Sequence, residues 1–292
     1  MRVALRVGVH SLRGLRDGVP RLMRLFSDYQ VRASFFFPFG RDLSGREPMQ
    51  SWRARRQLGL AATCYGTLLP AADLAAESAR LLRVAHSNGH DVGVFGGSPV
   101  TWRRRMATAD AAWVKSEIDR ARHAAADMLE DGCALGFATP AWQSNPALMD
   151  ELSTGGFLYS SMTRGRMPYR PMQLGQQSTV IEIPTTLPTI DEALRQNLTG
   201  MHDVHEYIYA ESQHVRPAGH VFALSAEREG GDRFEVLEKL LIMWKGQEGS
   251  VRALADVIRE LDRDTVPRHR IGWQIPPGGL IHQATQSIEV PR

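Results

Sequence analysis

The sequence predicts an α/β fold: a parallel sheet with helices outside it, closed into a barrel or left as an open doubly wound sheet. Three observations predict it. Short apolar runs rich in β-branched and aromatic residues recur along the chain. Most are followed by a stretch with apolar residues at helical spacing. No linker or internal repeat interrupts the pattern, and 292 residues with 43% hydrophobic content can bury a large core, so 1–292 reads as one domain.

Residues 3–9 are apolar and β-branched and form the first strand, which delivers a polar tip at His10 and Ser11. A turn leads to an amphipathic helix over 19–29. Residues 33–39 (ASFFFPF) make a second buried strand. Residues 72–85 carry Leu74, Leu81, Leu82 and Ala85 on a helical face, and 91–95 is a short strand. Residues 111–129 place Val114, Ile118, Ala121, Ala125 and Met128 on one face; 135–139 is strand-like. A short helix over 146–152 opens at Asn145, a good N-cap residue followed by proline. Further strands are expected over 157–160, 180–183 and 220–225, and helices over 201–213, 234–244 and 251–261. From about Pro267 the pattern becomes irregular, which predicts a C-terminal tail.

The net charge of +3 conceals an asymmetry, because residues 1–56 hold twelve arginines against four acids. Only Lys115, Lys239 and Lys245 are lysines, a bias that genomic base composition explains; the functional alternative is phosphate binding by planar guanidinium groups. No nucleic-acid recognition motif accompanies the basic region, so no nucleic-acid partner is expected. No run approaches the ~18 apolar residues of a membrane span, and the N-terminus has no apolar leader core. The two cysteines, Cys64 and Cys133, give neither a disulfide framework nor zinc spacing.

In folds of this class chemistry gathers at the C-terminal ends of the strands. Those ends carry His10-Ser11, Phe39-Gly40, Phe95 to Ser98, Thr139 to Gln143, and Ser225 to Glu229. Several motifs here are specific: LRGLRDGVPRL (12–22), GHDVG (89–93), RGRMPYRP (164–171) and IPTTLPT (183–189). They resemble the ArnD-like branch of the NodB-type polysaccharide deacetylases over nearly the full length. The resemblance implies a deformed (β/α) barrel of about seven strands. It also implies a divalent metal such as zinc, and a polyprenyl-phosphate-linked formamido sugar as substrate at the inner face of the bacterial inner membrane.

The departures from that family fall on the chemistry. Metal-dependent deacylation needs a Lewis acid, a base and an acid for the leaving amine. The family's Asp-x-Asp, base then ligand, is here Gly8 and His10. Its His-x-x-x-His ligand pair is Phe95 and Pro99. The arginine after the motif tryptophan is Gln143 after Trp142, and the late acid histidine is Ser225. Phenylalanine and proline side chains cannot ligate a metal, so no metal is expected.

His86 and His90 have a tempting four-residue spacing, but they end a helix on the side of the sheet away from the chemistry. They read as a histidine favoured by a helix C-terminus. His202, His205 and Glu206 read as a solvated helix face. Catalytic candidates reduce to His10, Ser225 and Glu227. Binding candidates are His10, Ser11, Arg13, Phe95, Ser98, Trp142, Gln143, Arg164, Arg166, Tyr169, Arg170, Ser225 and Glu227. Ser98 follows Gly96-Gly97 in a turn that is either an anion cradle or an ordinary loop. Glu227 and Glu229 either hold a ligand or cap the next helix. Arg164 to Arg170 reads as a phosphate or sugar contact, with a surface turn as the alternative.

The expected function is that of a catalytically degenerate deacetylase-fold protein. It would bind a phosphorylated or polyprenyl-linked amino sugar or partner an active paralogue. The alternative is a carbohydrate N-deacylase with metal-independent chemistry in the same pocket. Residues 41–60, with Trp52, Arg53, Arg55, Arg56, Leu58 and Leu60, suggest contact with an anionic membrane, or a helix covering the barrel mouth. The expected location is the cytoplasm, extending to the periphery of the inner membrane.

Overall fold

A computed structural model describes the protein over residues 1–291, apart from 54, 56–58, 128–134, 247–249, 278 and 280. The side chains at 50, 51, 53, 126 and 250 also lie outside the description. Its strands are β1 (Arg2–Gly8), β2 (Ser34–Phe37), β3 (Arg41–Asp42), β4 (Ala72–Asp73), β5 (Asp91–Val94), β6 (Gly136–Ala138) and β7 (Tyr159–Ser161), then β8 (Arg170–Gln173), β9 (Gln176–Gln177), β10 (His220–Ser225), β11 (Ser250–Arg252), β12 (Arg268–Gln274) and β13 (Gln283–Val290). Seven of them build one sheet in the order β10–β1–β2–β5–β6–β7, with β11 also beside β1. Every pairing in it is parallel. The sheet curls into a barrel-like shell, as the alternation and the resemblance implied.

β1 is the keel of this shell. It pairs with β10 from Val3–His220 to Gly8–Ser225, and on its other side with β11 and then β2. Its alternation sorts two cores. Val3, Leu5 and Val7 pack outward against the helices, together with Leu22, Phe26, Leu237 and Leu241. Ala4 faces inward with Phe36, Phe95, Ala138, Tyr159 and Ile183. Arg6 and Gly8 share that inward face, since side chains two apart along a strand point the same way.

The sheet's two ends, β7 and β10, are joined by 181–187. Ile183 N–H donates to Ser160 O (2.8 Å), and Thr186 and Leu187 N–H donate to Val221 O (3.2 and 3.1 Å). The segment expected as a strand over 180–183 therefore meets Ser160 of β7 and Tyr169 through isolated bridges at Glu182 and does not form a regular ladder. Pro184 and Pro188 deny it continuous donors.

Helices Val19–Asp28, Ala75–Ser87, Ala111–Ala126, Pro146–Thr154, Val204–Ser212 and Phe234–Lys245 wrap the outside, close to the predicted spans. Asn145 caps its helix as expected, accepting from Leu148 N–H at 3.0 Å. The predicted helix over 251–261 begins later, at Leu254, because the preceding residues form β11. The expected irregular tail is not irregular: β12 and β13 pair antiparallel and join β8 and β9 in a second sheet. Its apolar residues are too sparse among arginines and glutamines to signal strands. Cys133, Met128, Arg56 and Leu58 lie outside the described residues. Among the described residues, no helix is long and apolar enough to cross a membrane.

Candidate functional site

The tips of β1 and β10 lie side by side, and close packing of the loops that follow brings Glu227 under the β1 tip. A Cβ on Gly14 would overlap the Glu227 carboxylate, and one on Gly18 would overlap Ala226 O. The glycines of the 12–22 motif thus permit this approach.

Glu227 is fully engaged. Its Oε1 accepts from the His10 backbone N–H and from Ser11 Oγ, both at 2.9 Å. Its Oε2 accepts from Ser225 Oγ at 2.7 Å and lies 3.4 Å from His10 Nδ1. The three catalytic candidates from the sequence therefore form one hydrogen-bonded cluster, with the carboxylate at its centre. Burial alone would raise the Glu227 pKa, but His10, Ser225 Oγ and the His10 N–H outweigh it and hold the acid below its ordinary range. Burial holds the His10 imidazole below its ordinary value, against the pull of Glu227 and with help from Arg103 and Arg6. The pair is thus a carboxylate facing a neutral ring, with Nδ1–H as donor and Nε2 as acceptor.

His10 opens on a cleft of about 250 Å³ whose lining includes Arg6, Phe95, Arg103, Trp142, Ser225 and Glu229. The opposite rim comes from Asp191, Glu192 and Arg195 and from Pro276, Gly279 and Ile281. Phe95 stands edge-on to His10, with ring centroids 4.9 Å apart. It also covers Gly8: a Cβ there would come 3.1 Å from Phe95 Cζ and 3.2 Å from His10 Cε1. Gly8, Phe95 and His10 thus form one packed contact.

Trp142 follows Ala141, and both have φ of 53°, a left-handed conformation rarely adopted by side-chain-bearing residues. This kink aims the Trp142 indole at Thr185 Oγ1 (3.0 Å) and under the Arg164 guanidinium (5.0 Å to the ring centroid). Arg164 is half-buried, donating to Leu187 O and pairing with Glu192 at 3.0 Å. Glu229 is buried, accepts from Ser225 N–H, and is pushed up by burial to a pKa of about 7.

The other expected binding residues divide. Ser98 and Gln143 are buried behind the cleft, and neither Ser98 Oγ nor Gln143 Oε1 has a partner among the described residues. Ser98 heads the helix Pro99–Arg105, where the sequence suggested an anion cradle or an ordinary loop. Four expectations fail to reach the site. Arg13 is at the surface near Asp17. The Arg166 backbone, on the protein surface, is held by Gln286 and Arg216. Tyr169 is buried in the core and bonds to Thr163 Oγ1. Arg170 is spent on the carbonyls of Thr179 and Arg263. Only Arg164 of the 164–171 motif approaches the cleft, because β8 turns the rest toward the second sheet.

His90 also departs from expectation. Burial holds it neutral, with a pKa of about 4. It packs against Phe26 and Phe35 and accepts the Ala33 N–H, so it is not a cation at a helix end. Missed from the sequence were Arg6, Arg103, Asp191, Arg195 and the buried Glu182. Arg6 alone carried a signal, a charge within an otherwise apolar strand.

The residues do not fit a divalent metal. Among the described residues no group of three or more His, Cys, Asp or Glu is placed to hold one. His10 faces Phe95, and the nearest carboxylate, Glu227, is already committed to four hydrogen-bond contacts.

No family model matches the chain. It is similar to the probable 4-deoxy-4-formamido-L-arabinose-phosphoundecaprenol deformylase ArnD of Shewanella sediminis, 29% identical across 97% of this chain and 95% of that protein. Among solved structures it resembles a putative polysaccharide deacetylase from Mycobacterium smegmatis (TM-score 0.60, 15% identity, 90% and 92% of the two chains). It also resembles a CE4 family pseudoenzyme from Bacillus anthracis (TM-score 0.53, 11% identity, 92% and 69%). At those identities the structural likenesses establish fold. In sequence the chain is thus similar to ArnD along nearly its whole length, and in its curled parallel sheet to the polysaccharide deacetylases.

Proposed function

We propose that this chain is a catalytically degenerate deacetylase-fold protein that binds a phosphorylated or polyprenyl-linked amino sugar without hydrolysing it, alone or beside an active paralogue. The Phe95 ring packed over Gly8 carries this reading. A base cannot act from a position with no side chain, and an aromatic ring fills the space it would need. The retained cleft and the similarity to ArnD support binding of the sugar class named for that relative. Contact with an anionic bilayer is supported by exposed Met49, Trp52, Leu60 and Leu68 in a stretch that also carries Arg41, Arg46 and Arg55, the last stacked over Trp52 at 4.7 Å. This contact would place the protein at the inner membrane's cytoplasmic face.

The test is thermal denaturation with a polyprenyl-phosphate amino sugar, formylated and free, alongside assay of released formate. Binding raises Tm without turnover. Formate release abolished by His10→Ala would replace this reading with the second one, which the His10–Glu227–Ser225 cluster supports. There, His10, oriented by Glu227, takes a proton from water. The water oxygen adds to the amide carbon, and the C–N bond breaks as the amine departs with a proton, giving acid and amine.

A further inference from the structure

Arg6 is a buried charge with no ion-pair partner among the described residues. It is 4% exposed, and its guanidinium lies 5.4–5.7 Å from the ring centroids of Phe36, Phe95 and Trp142. Nε donates to Ser161 O (3.2 Å) and Nη2 to Thr139 O (3.0 Å). Nη1 has no hydrogen-bond partner among the described residues, and Arg6 lines the cleft. No carboxylate among the described residues stands within ion-pair distance of it. Glu182 is the strongest opposite charge acting on it, but its oxygens are taken by Ser160, Met162 and Thr163. A guanidinium in such surroundings is costly unless an anion meets it.

Arg103 supplies a second guanidinium to the same cleft from helix Pro99–Arg105, and its current partner is Glu47. Both guanidinium groups line the cleft that His10 opens on, and both lower the proton affinity of His10.

We propose that the floor of this cleft is an oxyanion site, in which Arg6 Nη1 and Arg103 take one phosphate or carboxylate group of a ligand. Two guanidinium groups give charge-assisted hydrogen bonds to such oxygens. Glu47 competes with the ligand for Arg103. The inference concerns the anion alone and does not depend on which sugar, if any, carries it.

The experiment uses the full chain and measures Tm and calorimetric affinity with sodium phosphate and with sodium formate, at ionic strength matched by sodium chloride. A saturable response to phosphate identifies a phosphate-type group, and a response to formate a carboxylate-type group. Arg103→Met is expected to weaken the responding anion at least tenfold, and Glu47→Gln to tighten it. Glu77→Gln, which removes an equal charge outside the cleft lining, leaves the affinity unchanged. Arg6→Met is expected to abolish binding; should that variant not fold, the Arg103 and Glu47 variants decide. The proposal is overturned if neither anion exceeds chloride, or if the response survives Arg103→Met, which would mark it as adventitious surface binding.

Discussion

Placing a carboxylate at the β1 tip should fail unless Phe95 is changed with it. In Gly8→Asp the new Cβ would sit 3.1 Å from Phe95 Cζ and 3.2 Å from His10 Cε1, closer than ordinary carbon contacts. Overpacking of that kind costs about 1–3 kcal/mol. The carboxylate would also enter a wall formed by Phe36 and Phe95, adding roughly 1–3 kcal/mol for a poorly solvated acid, offset in part by Arg6. The expected loss is therefore about 2–5 kcal/mol. Phe95→Ala alone opens a cavity and should cost about 3–5 kcal/mol. In the double variant the aspartate moves into the vacated space, so the combined loss should fall short of the sum by about 1–3 kcal/mol. Urea denaturation of the four proteins at one pH measures this coupling. Additivity within about 0.5 kcal/mol would show that Phe95 does not rest on Gly8, and the explanation of the altered tip would fail with it.

Three further outcomes are expected. The folded-state pKa of Glu229, about 7, lies above the ordinary 4.5, so its contribution to stability is full below about pH 4.5 and is lost as pH rises through 7. Glu229→Gln should flatten the fall in urea midpoint between pH 5 and 8 and be stabilising by up to about 3 kcal/mol at pH 8; an unchanged slope would contradict its burial. His90 has the opposite sense: its pKa is depressed to about 4, so its stabilisation is full above pH 6.5 and is lost as pH falls toward 4. Protonation also removes the acceptor for Ala33 N–H, and chemical-shift titration of this ring should find no charging above pH 5.5. Finally, Asn145→Ala should cost about 1 kcal/mol in thermal or urea melts by removing the Leu148 cap.

Much of the fold was legible because the barrel strands are buried on both faces and read as apolar runs. Residues 220–225 matched their strand, and helix 234–245 displayed its apolar stripe. The His10–Ser225–Glu227 cluster was legible because strand tips are few and polar residues at them stand out. Arg103, Asp191 and Arg195 were not, since they sit on helices following loops, where no periodicity distinguishes a cleft-facing charge from a solvated one. Tyr169 and Arg170 misled for a related reason. The motif around them reads as a binding segment, but its role here is structural: Tyr169 anchors the 181–187 segment through paired bonds with Glu182.

That segment has a consequence for behaviour at high concentration. Sheet margins left bare recruit other chains, and this shell would have two, along β7 and β10. Residues 181–187 seal both at once, while Pro184 and Pro188 stop the seal from becoming a template itself. Loosening this stretch would turn a self-contained molecule into one that polymerises through its own seam.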